Sequence, residues 1–122
     1  MASLKEKRKT RRVQPYVAPC RIVLRSRRLP AYLADLSTRG ARIVCDETLP
    51  AAGSRVVIEV RFGKSLTYSR LPGEVKWVKA RKRPRPSHLC GLTFREISGE
   101  QQLALEYALY EFRRRAAQFA GG

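Results

Sequence analysis

From residue 21 to residue 94 the chain alternates apolar and polar positions in short runs; beyond residue 98 the period lengthens to that of a helix. The clearest run is RVVIEVRF, residues 55–62. A strand there puts Val56, Ile58, Val60 and Phe62 on one face and Val57, Glu59 and Arg61 on the other. A short run rich in branched residues predicts a strand at 21–24, moderate alternation one at 31–35, the stretch after the glycine one at 41–44, and the last strand is expected at 88–94. Residues 66–68 and 73–78 read as further strand, interrupted or bulged near Leu71-Pro72-Gly73, because proline removes a ladder donor. Val75, Trp77 and Lys79 then share one side. Turn signals at Leu49-Pro50, Ala52-Gly53, Phe62-Gly63 and Pro84 to Pro86 separate these runs at short, fairly even spacing. That pattern predicts an antiparallel barrel or sandwich.

The helical segment announces its own start. Ser98-Gly99-Glu100-Gln101 fits a capping box, in which the serine hydroxyl and the glutamine side chain satisfy each other's backbone donors. Leu105, Leu109, Phe112 and Ala116 recur at helical spacing, flanked by Leu103, Tyr107 and Tyr110. A helix over 99–117 is expected to close one end of the β core, with residues 118–122 as a frayed tail. Arg113, Arg114 and Arg115 then complement the dipole of the last turn.

Composition narrows the class. The 122 residues suffice for one domain, and 43% apolar content with 8 glycines and 7 prolines is ordinary for a folded chain. No apolar run approaches a membrane span, and the charged start MASLKEKRKTRR has no apolar segment behind it, so a cytoplasmic location is expected. Cys20, Cys45 and Cys90 are too scattered for a zinc site and odd in number for a disulfide framework; each sits among apolar neighbours as a small hydrophobe. His88 has no second histidine and no nucleophile in a recognisable setting. Paired acid/base carboxylates, a phosphate loop, metal-ligand spacing and a nucleophile elbow are all missing from the pattern. The expectation is a binding module with no catalytic residue, no metal and no cofactor.

Charge says what it would bind. Twenty-six Lys and Arg against 10 Asp and Glu leave +16, which calls for an anionic partner. The basic residues concentrate in an N-terminal arm (Lys5, Lys7, Arg8, Lys9, Arg11, Arg12), in residues 76–85 and at Arg113 to Arg115. The run Arg81-Lys82-Arg83-Pro84-Arg85-Pro86 reads as a hairpin loop, either solvated or touching an acidic partner or nucleic acid.

One stretch carries more than its position needs. In ADLSTRGARI, residues 34–43, Asp35 and Ser37 are two apart, so at a strand end their side chains point together, and Gly40 follows with access to positive φ and room for close approach. A carboxylate can accept two parallel N–H bonds from a guanine edge, with a hydroxyl adding one more. The plain alternative is a turn in which Asp35 and Ser37 bond only to backbone. Arg8 and Arg12 bring guanidinium groups that grip phosphate bidentately and lie flat on a purine.

Arg8-xxx-Arg12 followed by Asp35-x-Ser37-xx-Gly40 resembles the PilZ domain family. Gly73-Glu-Val75-Lys-Trp77 and Cys90-Gly91-Leu92-Thr93-Phe94 are similar to two later strands of that family, so the resemblance runs from about Lys7 to Phe94 and less specifically through the helix. It implies a mainly β fold: a six-stranded antiparallel β-barrel with a C-terminal α-helix and a flexible basic N-terminal arm. The layout is then a single domain over 1–122, with the arm at 1–12, the barrel at 13–97 and the helix at 98–117. It also implies binding of cyclic di-GMP by Arg8, Arg12, Asp35, Ser37 and Gly40. Lys7, Arg11 and Trp77 are secondary candidates by residue type, Trp77 being an indole that could stack on a base or equally pack in the barrel core. Lys7 stands where many members carry another arginine, a neighbourhood that the resemblance links to the number of ligand molecules bound. On this reading the ligand's phosphates draw the arm onto the barrel, and the signal passes to an acidic protein partner. The alternative from another class is a nucleic-acid-binding barrel, with Tyr16, Tyr32 and Tyr68 as stacking residues.

Overall fold

The computed structural model describes residues 16–64, 68–82 and 86–121. Six strands follow in chain order: β1 (Ala18–Val23), β2 (Arg28–Leu36), β3 (Gly40–Cys45), β4 (Arg55–Val60), β5 (Ser69–Arg81) and β6 (Ser87–Phe94). They close into an antiparallel barrel in the order β1-β2-β3-β6-β5-β4, with β4 completing the ring against β1. Of the barrel and sandwich that turn spacing left open, the barrel is the architecture observed. Inward positions are almost entirely aliphatic or thiol: Ile22, Leu33, Ile43, Ile58, Val60, Leu71, Val75 and Cys90 are all at most 1% exposed. Burying such branched side chains is worth roughly 1.5–3 kcal/mol each and is what closes the ring.

The three cysteines lie in this interior as free thiols. Burial pushes the Cys20 thiol up to about 12 and the Cys90 thiol up to about 11. Both stay protonated at neutral pH and act as apolar packing.

The helix α1 (Gly99–Gly121) starts where the capping box placed it: the Gln101 amide donates to Ser98 Oγ at 3.2 Å and the Ser98 amide donates to Gln101 Oε1 at 2.9 Å. It continues past the expected end at Ala117, so residues taken for a frayed tail are helical through Gly121, and Arg113 to Arg115 stand before the last turn rather than in it. Tyr16 supports the extension, its ring centroid lying 5.2 Å from Phe112 and 6.1 Å from Phe119. Leu105, Ala108, Leu109 and Phe112 face the barrel and are buried.

Two expectations about β5 fail for one reason. Pro72 and Gly73 do not interrupt the strand: Pro72 pairs with Val57 and Gly73 with Val56, and β5 runs on for 13 residues. The irregularity comes later, where Val75 pairs with Leu92 and Trp77 with the very next residue, Gly91. Lys76 is the extra residue of a bulge, so Val75 points into the core while Trp77 points out, 38% exposed. Val75 and Trp77 therefore do not share a side. The earlier segment expected at 66–68 is not a strand at Tyr68, and Leu66 lies outside the described residues.

Candidate functional site

A second bulge sits across the barrel wall from the first. On β2, Leu33 pairs with Ile43 but Asp35 pairs with Arg42, leaving Ala34 as the inserted residue. Strict alternation from buried Leu33 would have sent Asp35 into the core; the insertion turns it outward and leaves Leu36 buried. Ser37, two residues on, is exposed like Asp35. The two bulges flank the β3–β6 pair and aim Asp35 and Trp77 into one groove.

That groove has a volume of about 300 Å³ and is lined by Asp35, Ser37, Arg39, Gly40, Arg42, Lys76, Trp77 and Thr93, with Ala41, Gly91 and Leu92 as its floor. The indole lies against Gly91, where any Cβ would collide with the ring. Gly40 is needed for a related reason: a Cβ there would strike the Leu92 carbonyl. Its backbone is not in the positive-φ region, so close approach between β3 and β6, rather than a left-handed turn, is what demands glycine.

The polar groups of the rim are partly engaged. Asp35 Oδ1 accepts the Leu36 amide at 3.0 Å, while Oδ2 faces the Arg42 guanidinium at 3.4 Å. Ser37 Oγ accepts the amides of Arg39 and Gly40, both at 3.2 Å, and the Ser37 amide donates to the Gly40 carbonyl at 2.9 Å. Phe94 donates to the Arg39 carbonyl at 2.8 Å, tying this turn to β6. Bonding to backbone accounts for Ser37 and for one oxygen of Asp35. Ser37 caps its own turn, yet Asp35 is 56% exposed and the Arg42 that faces it is itself half exposed.

The structure brings Asp35, Ser37, Gly40 and Trp77 together. Lys7, Arg8, Arg11 and Arg12 lie outside the described residues, as do residues 83–85 of the basic loop. Arg39, Arg42 and Lys76 add positive charge to the groove; the sequence offers no sign of Arg39 or Arg42 as site residues and shows Lys76 only as part of the basic stretch 76–85. Only the Asp35–Arg42 register and the Lys76 bulge, both products of strand pairing, could have revealed two of them.

The opposite wall, at the β1–β4 junction, holds a different carboxylate. Glu59 is 2% exposed although it points out of the barrel, because arginines from three other strands cover it: Arg21 at 3.0 Å, Arg28 at 3.4 Å and Arg70 in closer contact. Tyr68 completes the cover, its ring 4.3 Å from the Arg21 guanidinium and 5.7 Å from that of Arg61. The tyrosines considered for base stacking accordingly do not form a platform: Tyr16 packs on α1, Tyr68 lies under arginine, and Tyr32 stands exposed on β2. His88 is half-buried with its Nδ1 unpartnered, and among the described residues no three His, Cys, Asp or Glu side chains gather as a metal site. No helix among those residues is long and apolar enough to cross a membrane.

A model of the PilZ domain matches residues 6–111. Among solved structures, the chain is similar to the PilZ domain with c-di-GMP of YcgR from Escherichia coli. That match has a TM-score of 0.68 at 20% identity, covering 86% of this chain and 88% of that one. It is also similar to the Bacillus subtilis inhibitor of motility MotI/DgrA, with a TM-score of 0.60 at 17% identity over 84% of this chain and 48% of that one. This chain thus spans about half the length of MotI/DgrA. No curated protein sequence matches it.

Proposed function

The chain belongs to the PilZ domain family, and from that premise we propose that it is a cyclic di-GMP receptor that passes the signal to an acidic protein partner. The observation that carries the reading is the outward aim of Asp35, Ser37 and Trp77 into one groove, with bulges at Ala34 and Lys76 turning Asp35 and Trp77 outward. The solved E. coli relative is a PilZ domain with c-di-GMP, and the same ligand suits this groove chemically.

Asp35 accepts two parallel N–H bonds from the guanine edge, as a carboxylate does from any forked donor. Its present neighbour Arg42 holds that position by a single half-exposed pair, of the kind worth only about 0–1 kcal/mol, so a base edge displaces it at little cost. Ser37 holds the turn in register and offers its hydroxyl to the ligand's rim. Trp77 stacks on a purine face, while Arg39, Arg42 and Lys76 sit where phosphate charge needs compensation.

Arg8 and Arg12 close the ligand from the other side. The register supports this placement. Ala18 pairs with Leu33 in an antiparallel ladder, so the chain enters β1 at the same barrel end that carries Asp35. Arg12 is four residues before Tyr16, a reach of at most about 14 Å at ~3.5 Å per residue. Binding then fixes the Arg-rich arm over the groove, and the change in exposed charge is what an acidic partner reads. This is a binding module, with no chemical step.

Calorimetric titration of cyclic di-GMP into wild type, Arg8→Ala, Arg12→Ala and Asp35→Ala tests the reading. Wild-type binding with loss in each variant is expected. Equal affinity in all four chains would overturn it. Salt-steep binding to generic DNA, indifferent to Asp35→Ala, would replace it with the nucleic-acid reading.

A further inference from the structure

Helix α1 is apolar on two opposite faces, and the barrel uses only one. At 100° per residue, Leu105, Ala108, Leu109 and Phe112 form the inner stripe, all buried. Leu103, Tyr107 and Tyr110 form a second stripe on the far side, 67%, 45% and 62% exposed. The edge contact of Tyr107 with Phe62, at 6.2 Å between centroids, leaves much of that ring in solvent. A surface helix needs one apolar face. Three large side chains aimed away from the fold at i, i+4 and i+7 are the spacing at which one helix lies against another.

The charges beside this stripe identify the occupant. Glu100 precedes the stripe and Glu106 lies at its middle, while Arg113 and Arg114 follow it. Glu106, Tyr110, Arg113 and Arg114 line a shallow groove of about 510 Å³ along the stripe's flank, with Leu109 beneath. Glu111 holds Arg114 at 2.8 Å and Arg115 at 3.1 Å, whereas Arg113 has no ion pair among the described residues. A purely acidic partner would meet the two glutamates, and a purely basic one the arginines. A face that is acidic at one end and basic at the other is complementary to itself when turned end for end. A parallel pairing would set like charges together.

We propose that the outer face of α1 is an isologous interface on which a second copy of this chain packs antiparallel. Tyr107 of each copy meets Tyr110 of the other, and Glu106 of each lies beside Arg113 of the other. The two aromatic layers form the dry centre and the charge pairs the rim. From Leu103 to Tyr110 the stripe spans about 10 Å of helix at 1.5 Å per residue. The contact is thus below the standard size of specific interfaces, and the dimer is one that dissociates on dilution. Such a pair presents two nucleotide grooves on one rigid frame, a bivalent surface for the downstream partner.

Sedimentation of the full chain over a micromolar to millimolar series tests this. Physiological salt is the condition of choice, because a Debye length of about 8 Å screens the net charge of the two copies. A monomer–dimer equilibrium is expected. Leu103→Lys and Tyr110→Lys should each weaken it at least ~10-fold, since every substitution acts twice across the axis. These side chains point to solvent, so unchanged thermal melts will show that the barrel is intact. Glu106→Arg and Arg113→Glu should each weaken dimerisation, and the double variant Glu106→Arg/Arg113→Glu should restore it. A chain that stays monomeric throughout, a dimer untouched by Tyr110→Lys, or a double variant weaker than either single one would overturn the proposal.

Discussion

Asp35 and Glu59 are both carboxylates on the outer wall of the same barrel, both near arginine, and their surroundings give them opposite roles. Glu59 is surrounded by Arg21, Arg28 and Arg70 and is 2% exposed, so its acceptor capacity is consumed by the protein. Asp35 is 56% exposed and among the described residues faces one cation, Arg42, at 3.4 Å. The first carboxylate organises a strongly cationic wall; the second retains room for a ligand. Residue type and outward direction are shared by both. What separates a structural carboxylate from a receptive one is how many cations from other strands converge on it.

The largest effect should come from Glu59→Ala. It leaves three guanidinium groups facing one another, and denaturant unfolding should register a loss of about 2–3 kcal/mol. That lies below the ~3–5 kcal/mol of a fully buried pair because the arginines remain about half in solvent. Asp35→Ala should do the reverse: stability within ~0.5 kcal/mol of wild type, but cyclic di-GMP affinity lower by about 10- to 100-fold, as expected when one charged hydrogen-bond partner worth ~1.5–3 kcal/mol is lost. If both substitutions lowered stability equally, the distinction between the two walls would fail.

Smaller is the expected effect of Trp77→Ala. Losing one stacking surface should weaken nucleotide binding roughly 10-fold, consistent with ~1–3 kcal/mol per stacked base, with little change in melting because the ring is 38% exposed. Nucleotide titration followed by tryptophan fluorescence of the wild type gives the complementary signal. The smallest effect belongs to the core that lies behind both walls. The Cys20 thiol is raised from 9.0 to about 12, so the folded state holds a proton that the unfolded chain releases. Stability from this group is present in full below pH 9.0 and declines as pH rises toward about 12. Unfolding curves of Cys20→Ala should lose stability less steeply over that range than the wild type does.

Much of the barrel was legible in the chain. Val56, Ile58, Val60 and Phe62 alternate as strand residues facing a core must, and all four are buried. The start of α1 was legible because the capping box between Ser98 and Gln101 is a local bargain among neighbouring residues. The end of the helix was not, since nothing before the fold shows Tyr16 packing on Phe119. Gly40 does not take the positive φ expected of it: its glycine answers to Leu92, 52 positions away in the chain and adjacent only after β3 pairs with β6.

The sequence by itself determined which segments extend, where the helix begins, the excess of positive charge and the cluster of Asp35, Ser37 and Gly40, because each depends on residues close together along the chain. Only the tertiary structure decided that Asp35 and Trp77 point outward into a common groove, and that Glu59 points outward yet is buried. Those outcomes depend on bulges and cross-strand neighbours, which exist only once distant strands have found their register.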